Sequence, residues 1–159
     1  MIFVTLGTQD KEFTRLLDAI QKSINNGEIN EKVVVQSGYT KFESEDMEIF
    51  DYMLKDDFDN FMKNCDILIT HGGVGSIMTG LNNGKKVIAA PRLKEYKEHT
   101  NNHQLQIIEK FAKEGYITAL YDFSKINEAL NEARKMKIKK YKSNTKKIID
   151  YLTEYIDKN

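Results

Sequence analysis

The run Ile67-Leu68-Ile69-Thr70-His71-Gly72-Gly73-Val74-Gly75-Ser76 reads as a buried strand, a sharp glycine turn and the first residues of a helix. Backbone N–H groups at a helix N-terminus, freed of side-chain bulk by glycine, suit a phosphate group. The same residues also fit a plain structural purpose, in which glycine permits a tight turn and Ser76 caps the helix. Glycine content alone does not choose between the two.

Short apolar strands and amphipathic helices alternate on either side of this run. Ile2 to Leu6 is a strand ending at Gly7-Thr8. Phe13, Leu16, Leu17, Ile20 and Ile24 recur at helical spacing, closed by Asn25-Asn26-Gly27. Val33 to Val35 and Met47 to Met53 read as strands, and Lys55 to Asn64 as a helix with Phe58, Phe61 and Met62 inward. After the glycine turn the pattern predicts a helix over Val74–Asn82 and a strand over Val87–Ala90, stopped by the single proline, Pro91. A polar stretch, Arg92 to Asn102, leads to a helix over His103–Glu114 and a sixth strand over Ile117–Leu120. Helices over Ser124–Met136 and Tyr141–Asp157 end the chain. In the last, Ile148, Leu152, Tyr155 and Ile156 form a stripe that packs either on this domain or in a partner's groove. Alternating strands and helices predict an α/β fold, a doubly wound, Rossmann-like parallel sheet in one domain over 1–159. Ligands of such sheets sit at the carboxyl ends of the strands, where Gly7-Thr8, the Gly72–Gly75 turn and the Arg92–Asn102 loop all fall.

The 159 residues are 40% hydrophobic and 30% charged, with 24 basic and 24 acidic side chains, so net charge gives no pull toward nucleic acid. The one cysteine, Cys65, suits a reducing compartment. No apolar run approaches the ~18 residues of a membrane span, which predicts a cytoplasmic chain. Arg134 to Lys147 carries eight basic residues, either a solvated face or an attraction to an anionic membrane surface.

Four groups are candidates for chemistry. His71 is read as a contact to ligand phosphates rather than a proton carrier. The loop from Arg92 to Gln104 offers amides and hydroxyls that can pair with sugar hydroxyls, or it is an ordinary solvated loop. His99 and His103 lack the HExxH pattern of a zinc site, and Asp57-Phe58-Asp59 sits where a helix dipole favours acidic residues, so no metal site is expected. The first turn, Gly7-Thr8-Gln9-Asp10, lacks the dinucleotide fingerprint, which argues against a nicotinamide cofactor.

Five elements together carry a resemblance to a known family. They are Phe3-Val4-Thr5-Leu6-Gly7-Thr8, Asp66 to Ile77, Gly84-Lys85-Lys86-Val87-Ile88, Pro91-Arg92, and Glu98-His99-Thr100-Asn101-Asn102-His103-Gln104. In order and spacing they resemble the C-terminal, nucleotide-sugar-binding half of GT-B glycosyltransferases of family 28. The chain is most similar to the small stand-alone subunits of bacterial capsule and exopolysaccharide operons, which are themselves similar to the catalytic subunit of the eukaryotic dolichol-linked UDP-GlcNAc transferase. The resemblance implies a UDP-sugar site in which Gly73, Gly75 and Ser76 contact the diphosphate and Gly7 and Thr8 face it. His71, Gly72, Val74, Pro91 and Arg92 complete the cradle, and Asn102 and Gln104 contact sugar or ribose. Many relatives have a glutamate for the ribose three residues after the serine; here that position is Thr79. The resemblance further implies an inverting sugar transfer to a lipid-linked (undecaprenyl-diphosphate) acceptor without an obligatory metal or other cofactor. A membrane-anchored, acceptor-binding partner subunit would bring the chain to the inner face of the cell membrane and carry the base, so no catalytic residue is assigned. A non-catalytic subunit that stabilises a partner transferase is the alternative.

Overall fold

A computed structural model of the protein describes residues 1–139. The helix expected over 141–157, and the basic run beyond residue 139, lie outside the described residues. Six strands form one sheet: β1 (Ile2–Thr5), β2 (Val33–Gln36), β3 (Met47–Phe50), β4 (Ile67–His71), β5 (Lys86–Ala90) and β6 (Thr118–Ala119). Five α-helices accompany them: α1 (Thr14–Asn25), α2 (Lys55–Asn64), α3 (Val74–Asn82), α4 (His103–Lys113) and α5 (Ile126–Lys135). All strand pairs are parallel, in the order β3-β2-β1-β4-β5-β6. This is the doubly wound, Rossmann-like arrangement expected from the sequence. The order reverses direction between β1 and β4, and that reversal opens a crevice at their carboxyl ends.

The sheet is covered on both faces because successive side chains of a strand point oppositely. Ile2, Val4, Val33, Val35, Ile67, Ile69 and Ile88 pack under Leu16, Leu17 and Ile20 of α1 and Leu130 and Ala133 of α5. Their alternates Phe3, Val34, Leu68, Val87 and Ala89 meet Met62 of α2, Ile77 of α3, and Ile107, Ile108 and Phe111 of α4. β1 and β4 run in register, Thr5 opposite Thr70, and their hydroxyls bond at 2.9 Å. That bond satisfies two polar groups that the layer would otherwise bury unpaired.

Three elements are shorter than their apolar patterns. β3 stops at Phe50 and not Met53, because Gln36 Oε1 accepts from Met53 N at 2.8 Å and draws the chain off the sheet edge. β6, an edge strand, is in register with β5 only through Thr118 and Ala119, and Leu120 N adds one bond to Ala89 O at 2.9 Å. The helix expected from Ser124 opens as a 3-10 turn over Phe123–Lys125, started by Asp122 Oδ1 accepting from Ser124 N, and turns α-helical at Ile126. Among the described residues no helix is long and apolar enough to cross a membrane.

α3 lies close on the sheet at Gly80, where an added Cβ would come within 2.7 Å of both Leu68 and Val87. Gly80→Ala is therefore expected to lower unfolding free energy by about 1–3 kcal/mol, although alanine has the higher helix propensity. Urea denaturation measures it, and an unchanged or raised midpoint would contradict this packing.

Candidate functional site

The crevice between β1 and β4 is lined by two turns, Gly7-Thr8 after β1 and Gly72-Gly73 after β4, and α3 begins at its floor. Gly73 occupies the N-cap position and no side chain caps the helix. The first helical bond runs from Ile77 N to Gly73 O at 3.1 Å. The N–H groups of Val74, Gly75 and Ser76 therefore precede the intrahelical ladder and face the crevice with the positive end of the helix dipole. Ser76, the third helical residue, does not cap its own helix, so the structural purpose open to it in the sequence is not the one it has.

The glycines divide into two kinds. A Cβ on Gly7 would stand 2.5 Å from His71 Nε2, and one on Gly73 would also clash with the same ring, at Cε1. Gly7 also has φ +79°, which a side chain resists. A Cβ on Gly72 would lie 2.7 Å from Gln104 Cβ and 2.8 Å from Ile108 Cδ1. These three glycines make room for the protein's own side chains. Gly75 differs: nothing lies within 4 Å of the place its Cβ would take, and the residue is exposed. No packing demand explains glycine there, whereas close approach of a ligand does.

His71 is buried, at 8% exposure, between the two turns. Its Nδ1 lies 3.1 Å from Gln104 Nε2 and its Nε2 lies 3.2 Å from Ser76 Oγ. Burial first, then the nearby charges of Arg92 and His99, push its pKa down to about 3, so the ring is neutral at physiological pH. His71 thus stands at the start of α3 as a neutral spacer that touches Ser76.

Two expected ligand contacts are turned into the protein. Arg92 is 1% exposed. Its guanidinium donates to Leu6 O through Nε (3.2 Å) and Nη2, and through Nη1 to Lys11 O (2.8 Å) and Glu98 O (3.1 Å), with the Phe13 ring 4.9 Å away. Burial lowers its pKa to about 10, which leaves it a cation. Gln104, 4% exposed, accepts from Gly72 N and Arg92 N, both at 2.9 Å, and donates toward His71. Pro91 is buried and its carbonyl accepts from Arg15. Asn102 is exposed at the start of α4, and its Oδ1 accepts from Lys94 N at 2.8 Å. Thr8 is exposed on the crevice edge. Thr79, one turn beyond Gly75, donates its hydroxyl to Gly75 O at 2.9 Å, so only its lone pairs face outward. Asp57 and Asp59 lie on the exposed side of α2, and Lys55 pairs with Asp59.

Other residues, given no role there from the sequence, also hold the site. Glu98, 3% exposed, takes a fork-to-fork pair from Arg15 (Nε 3.0 Å, Nη2 2.9 Å) and accepts from Leu93 N. Arg15 is in turn stacked between Tyr96 (4.2 Å) and Phe123 (3.8 Å). Tyr39, Tyr52 and Leu54 follow β2 and β3 and are exposed, a partly apolar rim near Gly7; Tyr52 Oη lies 3.6 Å from where a Gly38 Cβ would be, and Gly7 O only 2.8 Å from it. Their aromatic and aliphatic character would have served equally well for core positions.

Because the folded His71 takes up its proton only near pH 3 and a free histidine near 6.5, the unfolded chain binds more protons between those values. Its contribution to stability is complete above pH 6.5 and is lost as pH falls toward 3, with a slope of up to about 1.4 kcal/mol per pH unit. His71→Asn is expected to flatten the dependence of unfolding free energy on pH across that window; equal slopes in the two proteins would remove His71 as the buried neutral group.

Against known proteins, a stretch of 94 residues is 29% identical to "UDP-N-acetylglucosamine transferase subunit ALG13" of Candida albicans, covering 59% of this chain and 30% of that protein. A stretch of 127 residues is 28% identical to the human protein of the same name, covering 73% of this chain and 10% of that one. The chain thus spans under a third of the length of the curated relatives it matches. In structure it is similar to ALG13 in solution (TM-score 0.56, 21% identity, 87% of each chain). It is also similar to the kitacinnamycin glycotransferase (TM-score 0.61, 16% identity), where it covers 34% of the larger chain, a likeness of fold to one Rossmann-like half of a GT-B enzyme. The model of the glycosyltransferase family 28 C-terminal domain matches residues 1–157, and the chain belongs to that family.

Proposed function

We infer that the chain is the donor-binding, catalytic subunit of a two-component inverting glycosyltransferase. It moves a hexose-type sugar from a UDP-sugar to a lipid-linked, undecaprenyl-diphosphate type acceptor in capsule or exopolysaccharide synthesis. The observation that carries this reading is the uncapped N-terminus of α3 at the switch crevice, with Gly75 opening it and Ser76 beside it. A diphosphate satisfies the N–H groups of Val74, Gly75 and Ser76 and the helix dipole together. The rim of Tyr39, Tyr52 and Leu54 suits a planar nucleobase nearby. Thr79 accepts from a ribose hydroxyl in place of a carboxylate, a weaker hold on the nucleoside.

The reaction is displacement at the sugar C1 by an acceptor hydroxyl. The C1–O bond to UDP breaks, and the negative charge that grows on the departing diphosphate is taken up by the N–H groups at the start of α3. Those groups are fixed before the reaction and need no metal to neutralise the leaving group. A GT-B cleft is built by two Rossmann-like domains, of which the described residues form one; in this reading a partner subunit supplies the acceptor half, the base that activates the acceptor hydroxyl and the membrane anchor. The curated relatives are themselves named as subunits, which fits this division. The partner holds the chain at the inner face of the cell membrane.

Calorimetry of the chain with its membrane subunit is expected to detect UDP binding; none under any condition would favour the non-catalytic, partner-stabilising reading. Gly75→Asp places a carboxylate where the diphosphate lies, yet an acidic residue in the first turn suits the helix dipole and preserves the fold. It should weaken UDP by about tenfold or more with the melting temperature unchanged or raised, and undiminished transfer in the reconstituted pair would remove the cradle assignment. Transfer by that pair is expected to survive EDTA; its abolition, with recovery on adding a divalent cation, would replace the metal-free mechanism.

A further inference from the structure

We propose that Gln104 is a positioning residue for the donor phosphate: through His71 it sets the direction in which the Ser76 hydroxyl donates. Two backbone donors of fixed polarity set the arrangement. The backbone N–H groups of Gly72 and Arg92 both point at one atom of the Gln104 amide, each at 2.9 Å, so that atom is the carbonyl oxygen. The other end of the amide is then the NH2 group, 3.1 Å from His71 Nδ1, and it donates. Nδ1 must accept. A neutral imidazole that accepts at Nδ1 carries its hydrogen on Nε2, and that hydrogen is given to Ser76 Oγ at 3.2 Å. Neutrality follows from the ring's burial beside the Arg92 cation.

A hydroxyl that accepts from His71 sends its own hydrogen elsewhere. Among the described residues Ser76 has no second hydrogen-bond partner, and its side chain borders the open floor at Gly75. The hydrogen is therefore offered to the crevice, where an anionic oxygen would take it. With the opposite tautomer, Nε2 would accept the serine proton and turn it inward, leaving lone pairs to face a phosphate. The chain Gly72/Arg92 N–H to Gln104 to His71 to Ser76 converts two fixed backbone donors into one outward donor. Gly7 and Gly73 are part of it, since a side chain at either position would collide with the ring. Gln104 thus acts from inside the protein without touching the nucleotide.

The relay can be inverted with little change of shape. Gln104→Glu keeps an oxygen for Gly72 N and Arg92 N but presents a second oxygen to Nδ1, which must then carry the hydrogen. The full-length chain is examined at pH 8.5, where the imidazole is neutral, by long-range 1H–15N correlation of His71. Wild type is expected to show Nε2–H and Gln104→Glu to show Nδ1–H. UDP affinity is then measured by calorimetry in wild type, Gln104→Glu, Ser76→Ala and the double variant. Each single change is expected to weaken UDP by about tenfold, and the double variant to be no weaker than the weaker single. An Nδ1–H tautomer in wild type overturns the proposal with no variant needed. So does a Gln104→Glu penalty that persists in full on the Ser76→Ala background, because that is the signature of charge repulsion or misfolding instead of hydroxyl direction. The proposal rests on the UDP-sugar reading for its ligand. Absence of UDP binding by wild type sinks that reading alone, since the tautomer still decides whether the relay exists.

Discussion

The carboxyl end of the sheet is held together by two side chains that supply hydrogen bonds the backbone there lacks. Gln104 joins the β4 turn to the start of the β5 loop by accepting from Gly72 and Arg92. Arg92 joins that loop to the β1 turn by donating to Leu6 and Lys11. A turn that leaves a strand end has carbonyls and N–H groups without ladder partners, and burying them unpaired costs about 1–3 kcal/mol each. The three turns of the switch crevice are thereby fixed relative to one another before any ligand arrives. A partly buried pair, Glu98 with Arg15, fastens the same loop to α1.

This fastening has an electrostatic consequence for the site. Arg92 sits in the interior as a cation, compensated by carbonyl oxygens and the face of Phe13. Its charge and the loss of water both disfavour protonation of His71, and burial followed by Arg92 lowers His99 as well. Positive charge is thus supplied by a residue out of reach of solvent, while the histidine at the crevice stays neutral and keeps one tautomer. The surface left for an anion consists of backbone N–H groups, one serine hydroxyl and the open space at Gly75. Such a surface costs little to reorganise, because most of its donors belong to the main chain.

The same economy explains why the site looks unfinished. One Rossmann-like domain presents a floor and one wall, and the rim of Tyr39, Tyr52 and Leu54 is exposed. The chain belongs to the glycosyltransferase family 28 C-terminal domain, and on the proposed reading the charge that a leaving diphosphate develops would fall on the start of α3.

Much of the fold was legible from periodicity. Runs such as Ile67 to Ile69 that are apolar at every position mean burial on both faces, and a parallel sheet with helices on both sides follows. The sharp turn into α3 was legible too, since glycine and serine after a buried strand mark a helix N-terminus. The element ends were not, because β3, β6 and the start of α5 depend on Gln36, on edge position and on Asp122, interactions local in space or geometry that periodicity does not encode. The individual glycines were also indistinguishable as letters. Only folding shows that Gly7, from another turn, and Gly73 both leave room for the His71 ring while nothing lies near Gly75. Arg92 and Gln104 read in the sequence as polar loop residues facing a ligand. Tertiary structure turned them inward, because three loop ends meet at the switch point and their unpaired backbone groups need partners that only long side chains from elsewhere can reach.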